Sequence, residues 1–278
     1  SVTTGGNETL IAEESEAWTV GLTWDVSEFA NRMGLDGMTF EINYYDITID
    51  DAIQAPDACD VLQQCVQTLD PLFCDNVTRV GATVTRIDGI LQNIGGIETN
   101  GIDWALSFTT EERDWGALDV TWSNTHLLEY TEITEGPDGP VSTSREGTEL
   151  GSPERGYVEW QSSLIIGWSF DDWRVVMANR YLDSLTEQCT GLVADFGLTD
   201  LCTTPTTNKI DATFYTDVQA TWSPTEFGDG RWAFQAGIQN LFDEDTPICY
   251  SCDLNSFDGT LHPIPGSFWY ARIGYSLD

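Results

Sequence analysis

The residues of this chain best suited to chemistry are its seven cysteines, at positions 59, 65, 74, 189, 202, 249 and 252. Cys249 and Cys252 have C-x-x-C spacing, which fits a local disulfide, a redox pair or half of a metal site. Redox catalysis needs this motif at a helix start within a βαβ unit, and zinc needs two further ligands nearby. We therefore expect Cys249 and Cys252 to form a local disulfide.

Two other cysteine pairs each lie within one polar segment. Cys65 and Cys74 are close in sequence, and so are Cys189 and Cys202. A disulfide in each segment would limit the conformational entropy of an exposed loop. Cys59 is then left over, either as a free thiol or as a competing partner for Cys65.

No set of residues has the spacing of a catalytic centre. The two histidines, His126 and His262, lie at neither triad nor metal-ligand spacing from a cysteine or carboxylate. The acidic runs at 243–245 and 111–112 do not follow a calcium-loop pattern and are expected to be solvated. We therefore expect no catalytic residue, metal ligand or cofactor, and no enzymatic activity.

The charge and the aromatic content narrow the class of protein. The chain has 46 acidic and 11 basic residues and a net charge of −35, which excludes nucleic acid as a main partner. It also has 11 Trp, 9 Tyr and 12 Phe, many for so polar a chain. No apolar run approaches the ~18 residues of a membrane helix. A polar average with an aromatic excess is typical of a β-barrel with one lipid-facing side.

Period-two alternation predicts nine strands. In the clearest of them, Trp160 and Leu164 share one face, while Glu159 and Gln161 share the other. The predicted strands are residues 17–26, 38–49, 96–109, 117–130, 157–170, 173–182, 210–222, 231–242 and 266–277.

The connections between these strands alternate between short and long, and every cysteine lies in a long one. Aromatic residues flank the short turns, as they do at the periplasmic end of an outer-membrane barrel. These residues are Trp24, Trp115, Trp168, Phe170, Trp173, Trp222 and Trp232. A soluble β-sandwich with a tryptophan core is the alternative, but its loops would have similar lengths at both ends. We predict an all-β fold, an antiparallel transmembrane β-barrel.

Nine strands cannot close the even-numbered barrel of a bacterial outer-membrane protein. Two open sheet edges in hydrocarbon would leave unpaired backbone groups, each costing several kcal/mol. We therefore expect the chain to be a fragment of a larger barrel.

Four stretches of sequence resemble the β-barrel of TonB-dependent outer-membrane receptors. Residues 10–22 resemble the family pattern L-x-P-E-x-S, with Ala12 in place of proline. Residues 93–103 resemble N-x-G-x-x-x-x-x-G-I/V-D/E, and 237–243, followed by Pro247, resemble the penultimate strand. Residues 266–277 resemble the final strand, although Leu277 and Asp278 stand where phenylalanine usually ends it.

This resemblance implies a 22-stranded, plugged barrel of which residues 1–278 form the last nine strands, with the plug and the earlier strands absent from the chain. It implies a bacterial outer-membrane receptor and transporter, in contact with outer-membrane lipid and monomeric as a barrel. The TonB energy-coupling complex would act through the missing N-terminal part. The cargo would be a scarce, bulky small molecule, most often an iron–siderophore chelate.

Position alone suggests where a ligand would make contact. We expect contacts from the loops around Cys65–Cys74, at 186–208 and at 243–265, and from four residues facing the lumen: Glu159, Gln161, Gln235 and Gln239. Two other functions fit the sequence less well. One is a passive porin or autotransporter-type barrel, and the other is a soluble, secreted, glycan-binding β-sandwich.

Overall fold

The computed structural model describes most of the chain. The residues described are 2–54, 58, 61–62, 65–66, 69, 71–93, 95–136, 139–151, 154–187, 209–225, 231–250, 252, 256–263 and 266–276.

Within these residues, nine long strands form one antiparallel sheet, and we number them in chain order. They are β1 Glu14–Asp25, β2 Leu35–Asp50, β3 Gly96–Thr110, β4 Ala117–Gly136, β5 Trp160–Phe170, β6 Trp173–Leu182, β7 Thr213–Trp222, β8 Arg231–Gln239 and β9 Phe268–Ser276. Each strand pairs with its neighbours in sequence, in the order β9-β8-β7-β6-β5-β4-β3-β2-β1. This up-and-down order confirms the all-β prediction and the nine predicted strands.

β4 is longer than the sequence predicted. It continues to Gly136 and forms a hairpin with Gly139–Ser144, where the prediction ended it at residue 130. The added part is rich in β-branched residues, such as Ile133, which favour extended backbone. Gly139 adopts a φ of 116°, which only glycine adopts readily and which allows the chain to turn. The predicted end of this strand at residue 130 was therefore wrong.

The chain divides into two compact units, the first made of Ser1–Thr19, Tyr45–Asn100 and Glu129–Arg145. In this unit, Val2–Gly5 pairs in parallel with Thr83–Ile90, which also pairs with Val77–Val80. Ile53–Gln54 pairs with Gln92–Asn93. The described part of the long connection between β2 and β3 therefore contains paired strands.

Side chains from two of the family-like stretches bind backbone groups of neighbouring segments in the first unit. The Asn93 side-chain amide donates to the carbonyl oxygens of Ile11 (3.1 Å) and Asp51 (2.7 Å), and its Oδ1 accepts from the Ile11 N–H at 3.0 Å. Glu13 Oε1 accepts from the Ile53 N–H at 2.6 Å. One asparagine thus joins the segment before β1 to the segment after β2, which explains its place in the motif.

The second unit contains Val20–Tyr44, Gly101–Leu128 and Glu146–Asp278. Its long connections form a four-stranded sheet in the order Glu154–Gly156, Thr148–Gly151, Leu185–Glu187, Lys209–Ile210. A small core lies beside this sheet, made of Val158, Leu182, Leu185, Ile210, Cys249 and Cys252, with Leu261 packed against it. The described parts of these connections pack around a small apolar interior.

The third family-like stretch, residues 237–243, contains the start of the connection between β8 and β9 and binds its two ends together. Asn240 has a φ of 51° and is 4% exposed. Its side chain donates to the Glu244 carbonyl (2.9 Å) and accepts from the Glu244 N–H (2.8 Å), while its own N–H donates to Asp217. Ser267, next to β9, donates its N–H to Asp243 Oδ1 at 2.8 Å and its hydroxyl to the Asn240 carbonyl at 2.8 Å. The end of β8 is thereby fixed to the start of β9.

Helices play a minor part in the described structure. Ser27–Ala30 and Pro71–Cys74 are single α-helical turns, and Asn31–Met33 is a 3₁₀ turn. Among the described residues, no helix has both the length and the apolar character that crossing a membrane would require.

Candidate functional site

The pairing register of β5 to β9 gives this part of the sheet two chemically distinct faces. Gln161 lies opposite Leu182, which lies opposite Thr213, and Thr221 at the other end of β7 lies opposite Gln235. Because residues two apart along a strand share a face, Gln161, Gln235 and Gln239 lie on one face, which we call the polar face. Three of the four residues proposed for the ligand path are therefore brought to the same face.

Glu159, the fourth of these residues, lies immediately before β5 and outside the strand. Its carbonyl accepts a hydrogen bond from the Leu127 N–H at 2.9 Å. Its carboxylate lies against Gly147, so closely that a Cβ at this glycine would stand 2.5 Å from Glu159 Oε1. The side chain of Glu159 thus belongs to the connection between β4 and β5.

The polar face also carries four arginines: Arg174, Arg180, Arg231 and Arg272. Arg174 binds both carboxylate oxygens of Asp119, at 2.9 and 3.1 Å. The guanidinium of Arg180 lies over the Tyr215 ring, 5.3 Å from its centroid, in a cation–π contact. Arg272 pairs with Gln235 in the register of β8 and β9.

The opposite face carries a row of aromatic side chains at the short-turn ends of the strands. Trp173 stacks on Trp222 with 6.1 Å between centroids, Trp222 stacks on Phe234 at 5.5 Å, and Trp232 lies 4.6 Å from Tyr275. The Trp168 indole donates to the Trp115 carbonyl at 2.8 Å. This contiguous row has the composition of a membrane-interface girdle.

Two indole N–H groups on this second face are paired with polar side chains farther along the strands. The Trp122 indole donates to Ser162 Oγ at 2.9 Å, and the Trp160 indole donates to Asn124 Oδ1 at 3.1 Å. His126 stacks on Trp160, 5.5 Å between ring centroids, so it lies on the aromatic side of the sheet. Such internal pairing satisfies indole N–H groups that hydrocarbon cannot.

The described cysteines include two bonded pairs. Cys65 bonds to Cys74 with 4.7 Å between Cα atoms, and Cys249 bonds to Cys252 with 5.4 Å. Cys189 and Cys202, with most of the connection at 186–208, lie outside the described residues, and so does Cys59. The pairing of Cys189 with Cys202 stays a prediction.

Peptide mapping of the unreduced protein tests all of these pairings. We expect disulfide-linked fragments joining Cys65 to Cys74, Cys189 to Cys202, and Cys249 to Cys252, with alkylation only at Cys59. The mapping is done with iodoacetamide before and after reduction. A fragment joining Cys59 to Cys65 would contradict the assignment in the first loop.

Three acidic side chains are buried in the small core of the second unit. Glu149, Glu187 and Asp258 are 0%, 2% and 2% exposed. They come from three different connections, at Thr148–Gly151, at Leu185–Glu187 and in the connection between β8 and β9. Burial of three carboxylates is expensive unless each is paired, protonated or bound to a cation.

The surroundings of Glu149 and Asp258 leave part of each carboxylate unpaired. Asp258 Oδ1 accepts from the backbone N–H and hydroxyl of Thr260, both at 2.6 Å. Glu149 Oε2 and Asp258 Oδ2 are buried and have no hydrogen-bond partner in the described structure. Burial raises the pKa of Glu149 to about 8, with the charge of Asp258 adding to the effect and the Arg155 backbone opposing it.

The Cys249–Cys252 disulfide lies beside Glu149. One carboxylate oxygen of Glu149 and the two sulfur atoms lie within 4.8 Å of one another, and Cys252 Sγ is 4.0 Å from Glu149 Oε1. A bonded sulfur carries no hydrogen to donate and no thiolate charge, so this contact is neither a hydrogen bond nor a metal–thiolate site.

His262 links this core to the polar face. It is 6% exposed, and its Nδ1 is 3.2 Å from the Tyr215 hydroxyl. Burial lowers the pKa of His262, and Arg180 lowers it further, against the opposing charge of Asp258. His262 is therefore a buried, neutral hydrogen-bonding group, and neither it nor the three buried carboxylates was identified as a site from the sequence.

The sequence matches the family described as TonB dependent receptor-like, beta-barrel over residues 1–241. This match covers most of the chain, and the chain therefore belongs to the TonB-dependent receptor β-barrel family. Members of the family are outer-membrane proteins of Gram-negative bacteria, which gives the localisation. No curated protein matches the chain.

Solved structures share the fold at low sequence identity. The FrpB iron transporter from Neisseria meningitidis is 15% identical, with a TM-score of 0.58, over 98% of this chain and 32% of its own. A mutant ferric enterobactin receptor, PfeA, from Pseudomonas aeruginosa is 12% identical (TM-score 0.54; 98% and 32%). The outer membrane transporter YddB from Escherichia coli is 10% identical (TM-score 0.52; 98% and 33%). The chain spans about a third of the length of these proteins.

Proposed function

We propose that this chain is the C-terminal portion of an outer-membrane transporter that takes up a small anionic ligand, with energy from the TonB complex. An iron chelate is the ligand class we favour. Family membership supports TonB coupling, and the iron transporters and receptors among similar structures support the cargo. The chain's coverage of about a third of those structures supports its being part of a larger barrel.

The observation that carries the ligand proposal is the arginine content of the polar face. Four of the chain's 11 basic residues lie on this face of β6, β8 and β9, although acidic residues outnumber basic ones by 46 to 11 overall. If this face lines the lumen, arginines such as Arg272 offer charge-assisted hydrogen bonds to an anion, and the glutamines offer neutral ones, whereas Arg174 is bound to Asp119. A ferric ion chelated by three catecholates has a net negative charge and fits such a surface, whereas a ferric ion chelated by three hydroxamates is neutral.

Uptake of ⁵⁵Fe bound to a catecholate or a hydroxamate chelator tests the proposal in iron-starved cells. We expect deletion of the gene to reduce accumulation of one of these complexes at least about tenfold, because the transport step would be lost entirely. Deletion of tonB should have the same effect. Unchanged uptake without TonB would instead favour a passive porin or autotransporter-type barrel, which the sequence left open.

Substitution on the polar face tests the role of the arginines. Arg272→Gln removes one charge next to Gln235, and we expect affinity for the accepted complex to fall about 10-fold, the loss of one charge-assisted bond. Arg113→Gln is the matched control, because Arg113 lies in the short turn after β3, half-exposed and paired with Glu111 at 3.3 Å. Equal binding by both variants and the wild type would contradict a polar-face path.

A further inference from the structure

We propose that a pocket on the sheet face opposite the polar face holds one fatty acyl chain of a membrane lipid. The pocket has a volume of about 290 Å³ and lies within the second unit. It is lined by Trp122, Trp160, Ser162, Leu164, Asn179, Tyr181 and Phe214. The proposal is independent of the transported ligand, because none of these residues belongs to the predicted ligand path.

The pairing register places the lining residues on one face of the sheet. Leu164 on β5 lies opposite Trp122 on β4 and opposite Asn179 on β6. Tyr181 on β6 lies opposite Phe214 on β7. Because residues two apart along a strand share a face, the other lining residues of β5 lie there as well. The pocket therefore opens on a single face, where the four neighbouring strands β4 to β7 lie side by side.

The depth of the pocket in the membrane follows from its distance to the aromatic row. An outer-membrane barrel turns its apolar band, about 25 Å tall, outward and its polar side chains inward. Tyr181 lies on the same face of β6 as Trp173, eight residues farther along the strand. At about 3.3 Å per residue and a tilt of about 40°, the two rings are about 20 Å apart along the barrel axis. The pocket thus lies within the apolar band, in the half nearer the long connections.

The polar side chains of the pocket wall are bonded within the protein. Both indole N–H groups are paired, one with Ser162 Oγ and the other with Asn124 Oδ1. The Asn179 amide donates to the Leu164 carbonyl at 3.3 Å, and its Oδ1 accepts from the Thr216 hydroxyl at 3.0 Å. A polar ligand would lose its hydration at this wall without gaining matching hydrogen bonds, whereas a hydrocarbon chain has no hydrogen bonds to lose. The chemistry of the wall therefore selects a hydrocarbon chain.

The rings of the pocket hold one another in place, so the pocket is formed before a chain enters. Trp122 lies edge-on to Trp104 with 4.8 Å between centroids, and Trp160 lies 5.0 Å from Tyr181. The Tyr181 hydroxyl donates to Asp183 Oδ1 at 3.2 Å, just beyond the end of β6. An unfilled indentation in hydrocarbon loses dispersion contacts along its lining, and a methylene chain restores them.

The size and the opening of the pocket suit a single chain. Its volume is at the lower end of the range for small-molecule sites, about 300–1,000 Å³. The side chains of Trp122 and Phe214 are 37% and 51% exposed, so the pocket is open along the face of the sheet. A chain can enter sideways from the bilayer while its headgroup stays at the level of the long connections.

Photo-crosslinking tests the pocket in the protein purified from outer membranes and reconstituted in phosphatidylethanolamine vesicles. Part of this lipid carries a diazirine on one acyl chain, so irradiation links the chain to the side chains that it contacts. Tandem mass spectrometry identifies the labelled residues. We expect the pocket residues to be labelled at least about threefold more than Trp269 and Ile273, the effect of one interaction of ordinary strength. These two residues lie on the same face in β9 and are more exposed, at 72% and 68%.

Ser162→Leu fills the pocket with a branched side chain. We expect this variant to reduce labelling of the pocket at least about threefold and to leave labelling of β9 unchanged. Ser163→Leu is the matched control, because Ser163 is the next residue of β5 and is exposed on the polar face. Phe214→Ala is a second variant, which removes half-exposed wall of the pocket and should also reduce labelling. Heat-modifiable migration in gels verifies that each variant is folded.

Two outcomes would overturn the proposal. The first is labelling that follows exposure alone, with Trp269 and Ile273 labelled as strongly as the pocket. This pattern would show only the general lipid contact of a barrel surface, and it is measured on the wild type, whether or not a variant folds. The second is labelling of the pocket that both Ser162→Leu and Phe214→Ala leave unchanged.

Discussion

Gly95→Ala is expected to destabilise the protein by about 3–5 kcal/mol, because the strain of a positive φ and a backbone clash add together. Gly95 has a φ of 96°, and a Cβ at this position would stand 1.6 Å from the Ile133 carbonyl oxygen. The carbonyl is a main-chain group and the backbone fixes the position of the Cβ, so no side-chain rotation relieves the overlap. Urea unfolding in detergent micelles, followed by tryptophan fluorescence, measures the loss.

Gly139→Ala is the matched control for this prediction. Gly139 has a φ of 116°, but nothing lies within 4 Å of the Cβ that alanine would add. The control carries the backbone strain alone, so we expect it to cost about 1–3 kcal/mol. Equal losses in the two variants would mean that β4 moves away from Gly95 without cost.

Asn240→Ala is expected to cost about 2–4 kcal/mol, because it removes buried hydrogen bonds from a residue in the left-handed region. The side chain of Asn240 is bonded at both its amide and its oxygen to the Glu244 backbone. Without it, the start of the connection between β8 and β9 loses its fixed conformation. Urea unfolding gives the stability, and the amount of folded protein in outer membranes reports on assembly.

Asp51→Ala separates the backbone effect from the hydrogen bonds. Asp51 has a φ of 54°, almost the value at Asn240, but its side chain is exposed. Its loss should therefore cost about 1 kcal/mol, the left-handed penalty alone. If Asp51→Ala proved as damaging as Asn240→Ala, the hydrogen bonds of Asn240 would contribute nothing measurable.

The sheet was predictable from sequence because its signal is local. Alternation such as Trp160-Gln161-Ser162 determines which residues share a face. A two-residue turn at Asp171 and Asp172 makes β5 and β6 adjacent in the sheet. The same parity placed Gln161, Gln235 and Gln239 together. It could not decide the place of Glu159, which lies one residue before the strand begins.

The structure inside the long connections was not predictable, because it depends on contacts between distant segments. The parallel pairing of Val2–Gly5 with Thr83–Ile90 joins strands about eighty positions apart, and no local periodicity in the sequence predicts this pairing. The buried carboxylates show the same limit. In the sequence, each of Glu149, Glu187 and Asp258 resembles a solvated loop acid, and only the packing of the connections shows that it is buried.

The connection between β8 and β9 is tied at its base, where Ser267 binds both Asn240 and Asp243. This tie fixes the register of the last two strands before any residue farther out contributes. Residues beyond it can therefore be lengthened, shortened or replaced during evolution without shifting a strand, since added loop length costs little free energy. The sequence of this connection and the pairing of the strands can therefore change separately, and an epitope inserted in this connection should leave the strand register intact.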